Sequence, residues 1–228
     1  MNWFGFRCVY CQQKLAIAKH GLCCRCNKQI KRFIYCGHCG KELVQHARYC
    51  GYCLQHKISW DGIVFIGRYV DPLSSLIHRF KFQKGFFLDR TLARLLLLAI
   101  LDAKRTHGFT LPEVIVPVPL HRIRQWQRGY NQADLLAQCL SKWLRLPCDN
   151  TLLLRVKHTH TQRGLTATAR QKNVSNAFKL HTKWNTYPYK SIAIIDDVIT
   201  TGATLNEMIQ ELRKIGIEHI QVWGLAKT

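Results

Sequence analysis

The sequence predicts an α/β fold, a parallel sheet flanked by helices, with a small cysteine-rich module before it. Three observations carry this. Nine of the eleven cysteines lie within the first 53 residues. After Trp60 the composition turns aliphatic, and strand-like runs alternate with helix-like ones. One run, Ile192 to Thr204 (IAIIDDVITTGAT), leads from a buried strand through two carboxylates into a Thr- and Gly-rich turn and a helix. The boundary is therefore placed after Trp60: residues 1–60 form a double-knuckle module and residues 61–228 the α/β domain.

The module contains four C-x2-C pairs: Cys8 with Cys11, Cys23 with Cys26, Cys36 with Cys39 and Cys50 with Cys53. Eleven, nine and ten residues separate successive pairs. In a reducing compartment such clusters read as metal sites rather than disulfides. Two knuckles complete one tetrahedron of thiolates, so eight cysteines suit two structural Zn²⁺ ions with no open position. Sequential pairing is expected, with Cys8, Cys11, Cys23 and Cys26 on one ion and Cys36, Cys39, Cys50 and Cys53 on the other. A cross-braced arrangement remains open at this stage. Cys24 is a spare thiol, and Cys139 and Cys148 read as core or loop thiols.

The chain carries 34 Lys and Arg against 13 Asp and Glu, a net charge of +21. Eight thiolates would remove eight charges and two Zn²⁺ would restore four, which leaves +17. A field of this sign favours nucleic acid or phosphorylated ligands. No apolar run is long enough to span a bilayer. The beginning, MNWFGFRCVYC, has no apolar signal core, so a cytoplasmic location is expected.

The elements follow in order. Gly62–Val70 reads as a strand or hairpin arm. Leu73, Leu76, Ile77 and Phe80 have helical spacing over 73–82. Leu88–Arg105 has a wide apolar helical face. Glu113–Val118 is a short buried strand that leaves through Pro117 and Pro119. Asn131–Leu146 is a second amphipathic helix. Leu205, Met208, Ile209 and Leu212 line a helix that ends near Gly216, and His219–Leu225 is the last strand.

Between these elements lie two basic segments. Val116–Gln132 interleaves Arg122, Arg124 and Arg128 with Trp126 and Tyr130 and reads as a loop. Arginine suits bidentate phosphate contacts, and aromatic rings can stack on bases; Trp126, Tyr130, Trp3, Phe4 and Trp60 are the stacking candidates, although each such ring is more often part of a core. Arg155–Phe178, with Lys157 and Arg170, reads as a loop able to close over a charged ligand.

The turn after the acid pair has its own logic. Backbone amides, hydroxyls and a helix N-terminus suit a phosphate. Two carboxylates suit sugar hydroxyls or Mg²⁺. A ribose 5-phosphate needs both. The segment resembles the phosphoribosyl pyrophosphate (PRPP) loop of the type I phosphoribosyltransferases. By that resemblance Asp196 and Asp197 bind the ribose hydroxyls, and Thr200, Thr201, Gly202, Ala203 and Thr204 bind the 5′-phosphate.

The knuckles, LIHRFKF (76–82), PVPL…RGYNQ (117–132), TQ…AF (161–178) and DDVITTGAT (196–204) occur in this order. The series resembles the ComF family, also called the competence protein F or GntX family. The resemblance implies a zinc module joined to a type I phosphoribosyltransferase-like domain, PRPP with Mg²⁺ as ligand, and a role in DNA uptake, natural transformation or the use of DNA as nutrient. Pyrophosphate would lie near Pro117–Leu120, with Arg124, Arg128, Lys157 and Arg170 as candidates to neutralise it or to meet DNA. Single-stranded DNA and a DNA-uptake helicase are the partners it implies. No residue offers itself as a general base, so a non-catalytic DNA-binding adaptor that keeps the fold is the alternative.

Overall fold

The main sheet has four parallel strands in the order β1-β6-β5-β2: β1 is Gly62–Arg68, β2 Val114–Pro117, β5 Ser191–Ile199 and β6 His219–Lys227. The computed structural model describes residues 6–17, 20–83, 85–157, 177–181 and 187–228. β5 lies between β6 and β2, and Ile192 to Ile195 are fully buried. Only a strand covered on both faces takes so long an apolar run. The acid pair follows directly, at the carboxyl end of this strand.

Helices flank the sheet as expected. α3 (Leu73–Phe82) buries Leu73, Leu76, Ile77 and Phe80. α4 (Asp89–His107) starts with Asp89 and carries Lys104 and Arg105 in its last turn, which match the helix dipole. It stops at Gly108, whose φ of +67° favours glycine. Asn131 caps α6 (Gln132–Leu144) by accepting from the Ala133 amide at 3.1 Å. α7 (Ala203–Lys214) buries Leu205, Met208, Ile209 and Leu212.

Of the two readings of Gly62–Val70 the structure takes the strand: β1 pairs in parallel with β6. Two expectations need correction. The basic segment after β2 is not a loop throughout, since Arg122–Arg128 forms helix α5. His121 Nδ1 accepts from the Ile123 amide and Gly129 ends the helix at φ +79°. α5 buries no residue, so it left no apolar period to read. The ends of the second basic segment pair as a small antiparallel ladder, β3 (Leu153–Arg155) with β4 (Phe178–Leu180). Residues 158–176, Arg170 among them, lie outside the described residues.

The cysteine knuckles contain two short helices, α1 (Cys24–Gln29) and α2 (Gly51–Gln55). The knuckles pack directly on the sheet domain. The Ile63 amide donates to Gly37 O at 2.8 Å and the Arg68 amide to Lys31 O at 2.9 Å. Gly67 is required here, because a Cβ would sit 2.5 Å from Lys31 O.

Candidate functional site

A cleft of about 330 Å³ opens at the carboxyl ends of the parallel strands, the usual ligand position in such sheets. Each neighbouring element supplies part of its lining. Val118 and Leu120 follow β2, Asp196 and Asp197 lie in the carboxyl half of β5, and Thr228 follows β6. Thr200, Gly202 and Thr204 come from the turn into α7; Thr201 and Ala203 belong to that turn but do not line the cleft.

The turn is shaped for close approach. Gly202 caps α7 with φ +75° and offers no side chain to its first amides. Those amides have no partner within the helix and carry its positive end. A Cβ on Gly202 would stand 2.8 Å from the Trp60 ring, so glycine is also dictated by space. Trp60 is only 8 % exposed and donates its indole N–H to His38 O at 2.8 Å. Its expected role as a stacking surface is thereby corrected: it is the wall behind the turn. Tyr130 is likewise half-buried and donates to Phe80 O. Trp126 is 86 % exposed, while Trp3 and Phe4 lie outside the described residues.

The acid pair faces the cleft and is electrostatically tense. Burial pushes the Asp196 carboxyl up to about 7, and Asp197 adds like-charge repulsion. Lys81, the Asp197 amide and Arg155 pull the other way without prevailing. Lys81 Nζ pairs with Asp197 Oδ1 at 2.8 Å, and both side chains are largely covered, at 18 % and 17 % exposure.

Three arginines also line the cleft. Arg124 and Arg128, one turn apart on α5, both line the cleft, as does Arg155 from β3. Burial and the neighbouring charges of Arg124 and Arg128 bring the Arg155 guanidinium down to about 10. Burial and Arg128 lower Arg124 as well. Cations crowded in this way hold one another at a cost that a bound anion removes. Lys157 is exposed and is not part of the lining.

Lys81 and Arg155 are the cleft residues that sequence reasoning missed. A signal existed for Arg155: strand alternation turns Leu153 inward, Leu154 outward and Arg155 inward. Lys81 had a weaker one, four residues after the buried Ile77 at the edge of the apolar face of α3.

The cysteines gather in sequential pairs. Cys8, Cys11, Cys23 and Cys26 form one group and Cys36, Cys39, Cys50 and Cys53 the other, with all sulfurs of each group within 4.8 Å. Four thiolates on one zinc stand roughly 3.8 Å apart by tetrahedral geometry. The Sγ atoms of Cys11 and Cys23 are 3.7 Å apart, those of Cys36 and Cys53 3.6 Å, and those of Cys39 and Cys50 3.6 Å. The donor sets therefore fit two metal ions of this kind. Their ionisation argues the same way. Burial raises Cys8, but the amides of Cys11, Cys23 and Tyr10 outweigh it and bring the thiol down to about 6. Burial and the three neighbouring thiols push Cys26 up. The Cys8 thiolate thus opposes ionisation of Cys26, a conflict that a central divalent cation removes. Cys24, Cys139 and Cys148 belong to neither group. Among the described residues, no helix is long and apolar enough to cross a membrane.

No family model matches the chain. Among solved structures it is similar to adenine phosphoribosyltransferase from Leishmania tarentolae (TM-score 0.33, 18 % identity, 58 % of this chain and 54 % of that one). It is also similar to a purine phosphoribosyltransferase from Pyrococcus horikoshii (TM-score 0.34, 16 % identity, 60 % of this chain and 83 % of that one). In sequence it is 40 % identical to DNA utilization protein YhgH of Escherichia coli, over 97 % of this chain and 96 % of that one. It is 27 % identical to Competence protein ComFC of Bacillus subtilis, over 81 % and 75 %. With Competence protein F of Haemophilus influenzae it shares 61 % of 228 residues, the whole of both chains. That extent and that identity make the chain a member of the competence protein F family.

Proposed function

We propose that the cleft binds PRPP with Mg²⁺ and that the protein acts in the handling of single-stranded DNA, taken up during transformation or used as nutrient. The reading rests on one arrangement. Acids and a helix N-terminus line one part of a single cleft, and three arginines line another. Asp196 and Asp197 would accept hydrogen bonds from the ribose hydroxyls and contribute to holding Mg²⁺. The turn from Thr200 to Thr204 would hold the 5′-phosphate. Arg124, Arg128 and Arg155 would receive the pyrophosphate, whose departure they favour by stabilising its charge. The names of the relatives, competence and DNA utilization, support the biological setting.

Two Zn²⁺ in the knuckles, a division near residue 60, a cytoplasmic location and a DNA-uptake helicase partner belong to the same proposal. The deciding experiment is calorimetry with PRPP and Mg²⁺. Asp196→Asn with Asp197→Asn should weaken binding by at least about tenfold, the weight of hydrogen bonds to charged groups. Unchanged affinity would sink the assignment.

One observation favours the adaptor reading instead. Among the described residues, the cleft lining has no imidazole and no carboxylate beyond the acid pair, so it offers no separate imidazole or carboxylate to take a proton from an acceptor. Pyrophosphate release assays with base, nucleoside and DNA acceptors separate the two. Release with any acceptor excludes the adaptor, and silence with all of them favours it.

A further inference from the structure

Next to the cleft, the end of α3 and the turn after it expose three large rings. Phe82, Phe86 and Phe87 are 50 %, 59 % and 54 % exposed. A fully apolar side chain left half in water has no folding reason to be there, and three within six residues make a patch. The rings are tied to the cleft rim. The Arg128 guanidinium lies over the Phe82 ring, 5.0 Å from its centre. Phe86 stands edge-on to Tyr130 at 6.3 Å and to Phe87 at 6.3 Å. Arg128 itself lines the cleft, and Lys81, the residue before Phe82, does too.

Basic charge prevails around these rings. Residues 78–83, 85–87 and 121–130 together hold five Lys and Arg and no Asp or Glu, and of the five Lys81 is paired with Asp197. Exposed rings set among cations suit a polyanion whose own flat groups are accessible. That describes single-stranded nucleic acid, with phosphates for the cations and unstacked bases for the rings. A duplex hides its bases, and a lipid surface would ask for aliphatic rather than flat aromatic contacts.

We propose that Phe82, Phe86 and Phe87 form a stacking platform that holds single-stranded nucleic acid beside the cleft. The proposal rests on the reading given above for the cleft and adds the route by which the strand approaches it. Arg128 joins the two, since it caps the Phe82 ring and also faces the cleft.

The test is fluorescence anisotropy of the full-length, metal-loaded protein with a labelled oligothymidylate. Stacking on a ring typically contributes about 1–3 kcal/mol per base. Phe86→Ala with Phe87→Ala, and separately Phe82→Ala, should therefore weaken binding by roughly 5- to 150-fold. The slope of log affinity against log salt should stay as in the wild type, because no phosphate contact is removed. Phe86→Leu with Phe87→Leu keeps apolar area and removes the rings, and it should bind as weakly as the alanine pair. Unaltered affinity in the alanine variants, wild-type affinity in the leucine pair, or equal binding of a duplex would each overturn the platform. So would a loss confined to Trp126→Ala, which would move the contact to the outer face of α5. Calorimetry with PRPP on the same proteins keeps the two readings apart. The Phe86→Ala, Phe87→Ala protein should retain wild-type response to PRPP, and the Asp196→Asn, Asp197→Asn protein should retain oligonucleotide binding.

Discussion

Lys81 Nζ lies 2.8 Å from Asp197 Oδ1, and both members of this pair act on the neighbouring Asp196. Burial and the charge of Asp197 push the Asp196 carboxyl up to about 7, while Lys81 pulls it down. The cleft therefore changes its charge around neutral pH.

The Asp196 carboxyl moves from its ordinary 3.8 up to about 7 in the folded chain. Between those values the folded state keeps a proton that the unfolded state has lost, so this group favours folding at low pH and costs stability as pH rises through the window. Ligands that need the ionised pair follow the opposite course. Affinity for PRPP with Mg²⁺ should rise as pH climbs through about 7, and Asp196→Asn should flatten the dependence. Lys81→Met removes the cation that lowers Asp196, so the rise should shift to higher pH. Calorimetry across the neutral range reads both effects, and a pH profile identical in wild type and Lys81→Met would contradict the coupling.

Arg155 should matter more than Lys157. Arg155→Gln removes one of three guanidinium groups from the cleft, whereas Lys157 stands outside its lining. Binding of inorganic pyrophosphate should weaken by about tenfold or more for Arg155→Gln, the usual loss for a charge-assisted hydrogen bond. Lys157→Gln should stay within about twofold of wild type, since exposed charges contribute little.

Gly202→Ala should damage both fold and site. The new Cβ would meet the Trp60 ring at 2.8 Å, and the backbone at φ +75° disfavours any side chain. A left-handed residue alone costs roughly 1–2 kcal/mol. Differential scanning calorimetry should show a lower Tm, and the surviving folded protein should bind PRPP more weakly. Adding Trp60→Phe should recover part of the loss by making room.

Metal analysis should return about two zinc ions per chain, bound by the two sequential groups. Cys50→Ser with Cys53→Ser should halve the content and leave Cys36 and Cys39 open to alkylation. A chain purified under reducing conditions with no metal would refute the assignment, and exposure of Cys23 and Cys26 in their place would point to cross-bracing.

Much of this was legible in the sequence for identifiable reasons. Ile192 to Ile195 followed by Asp196 and Asp197 can hardly be anything but a buried strand with its chemistry at the carboxyl end. Cysteine spacing announced two donor sets because a thiolate tetrahedron tolerates few alternatives. Helix α5 was hidden because it buries nothing, and the propensities that form it leave no apolar rhythm. Lys81 and Arg155 were hidden because they reach the site from elements more than forty residues away along the chain, and only the folded topology brings them to Asp196 and Asp197. Trp60 was misjudged because an aromatic at the end of a segment looks the same whether it faces solvent or a glycine 142 positions later.

That tryptophan has a consequence for anyone who trims the protein. Its indole hangs from the carbonyl of His38, between two cysteines of the second group, and its ring presses on Gly202. Discarding the first sixty residues would strip the plaster from the back of the Thr200–Thr204 turn and leave a hole there. A truncated chain would then misreport the pocket, and finger regions exchanged between relatives should carry a change in ligand affinity with them.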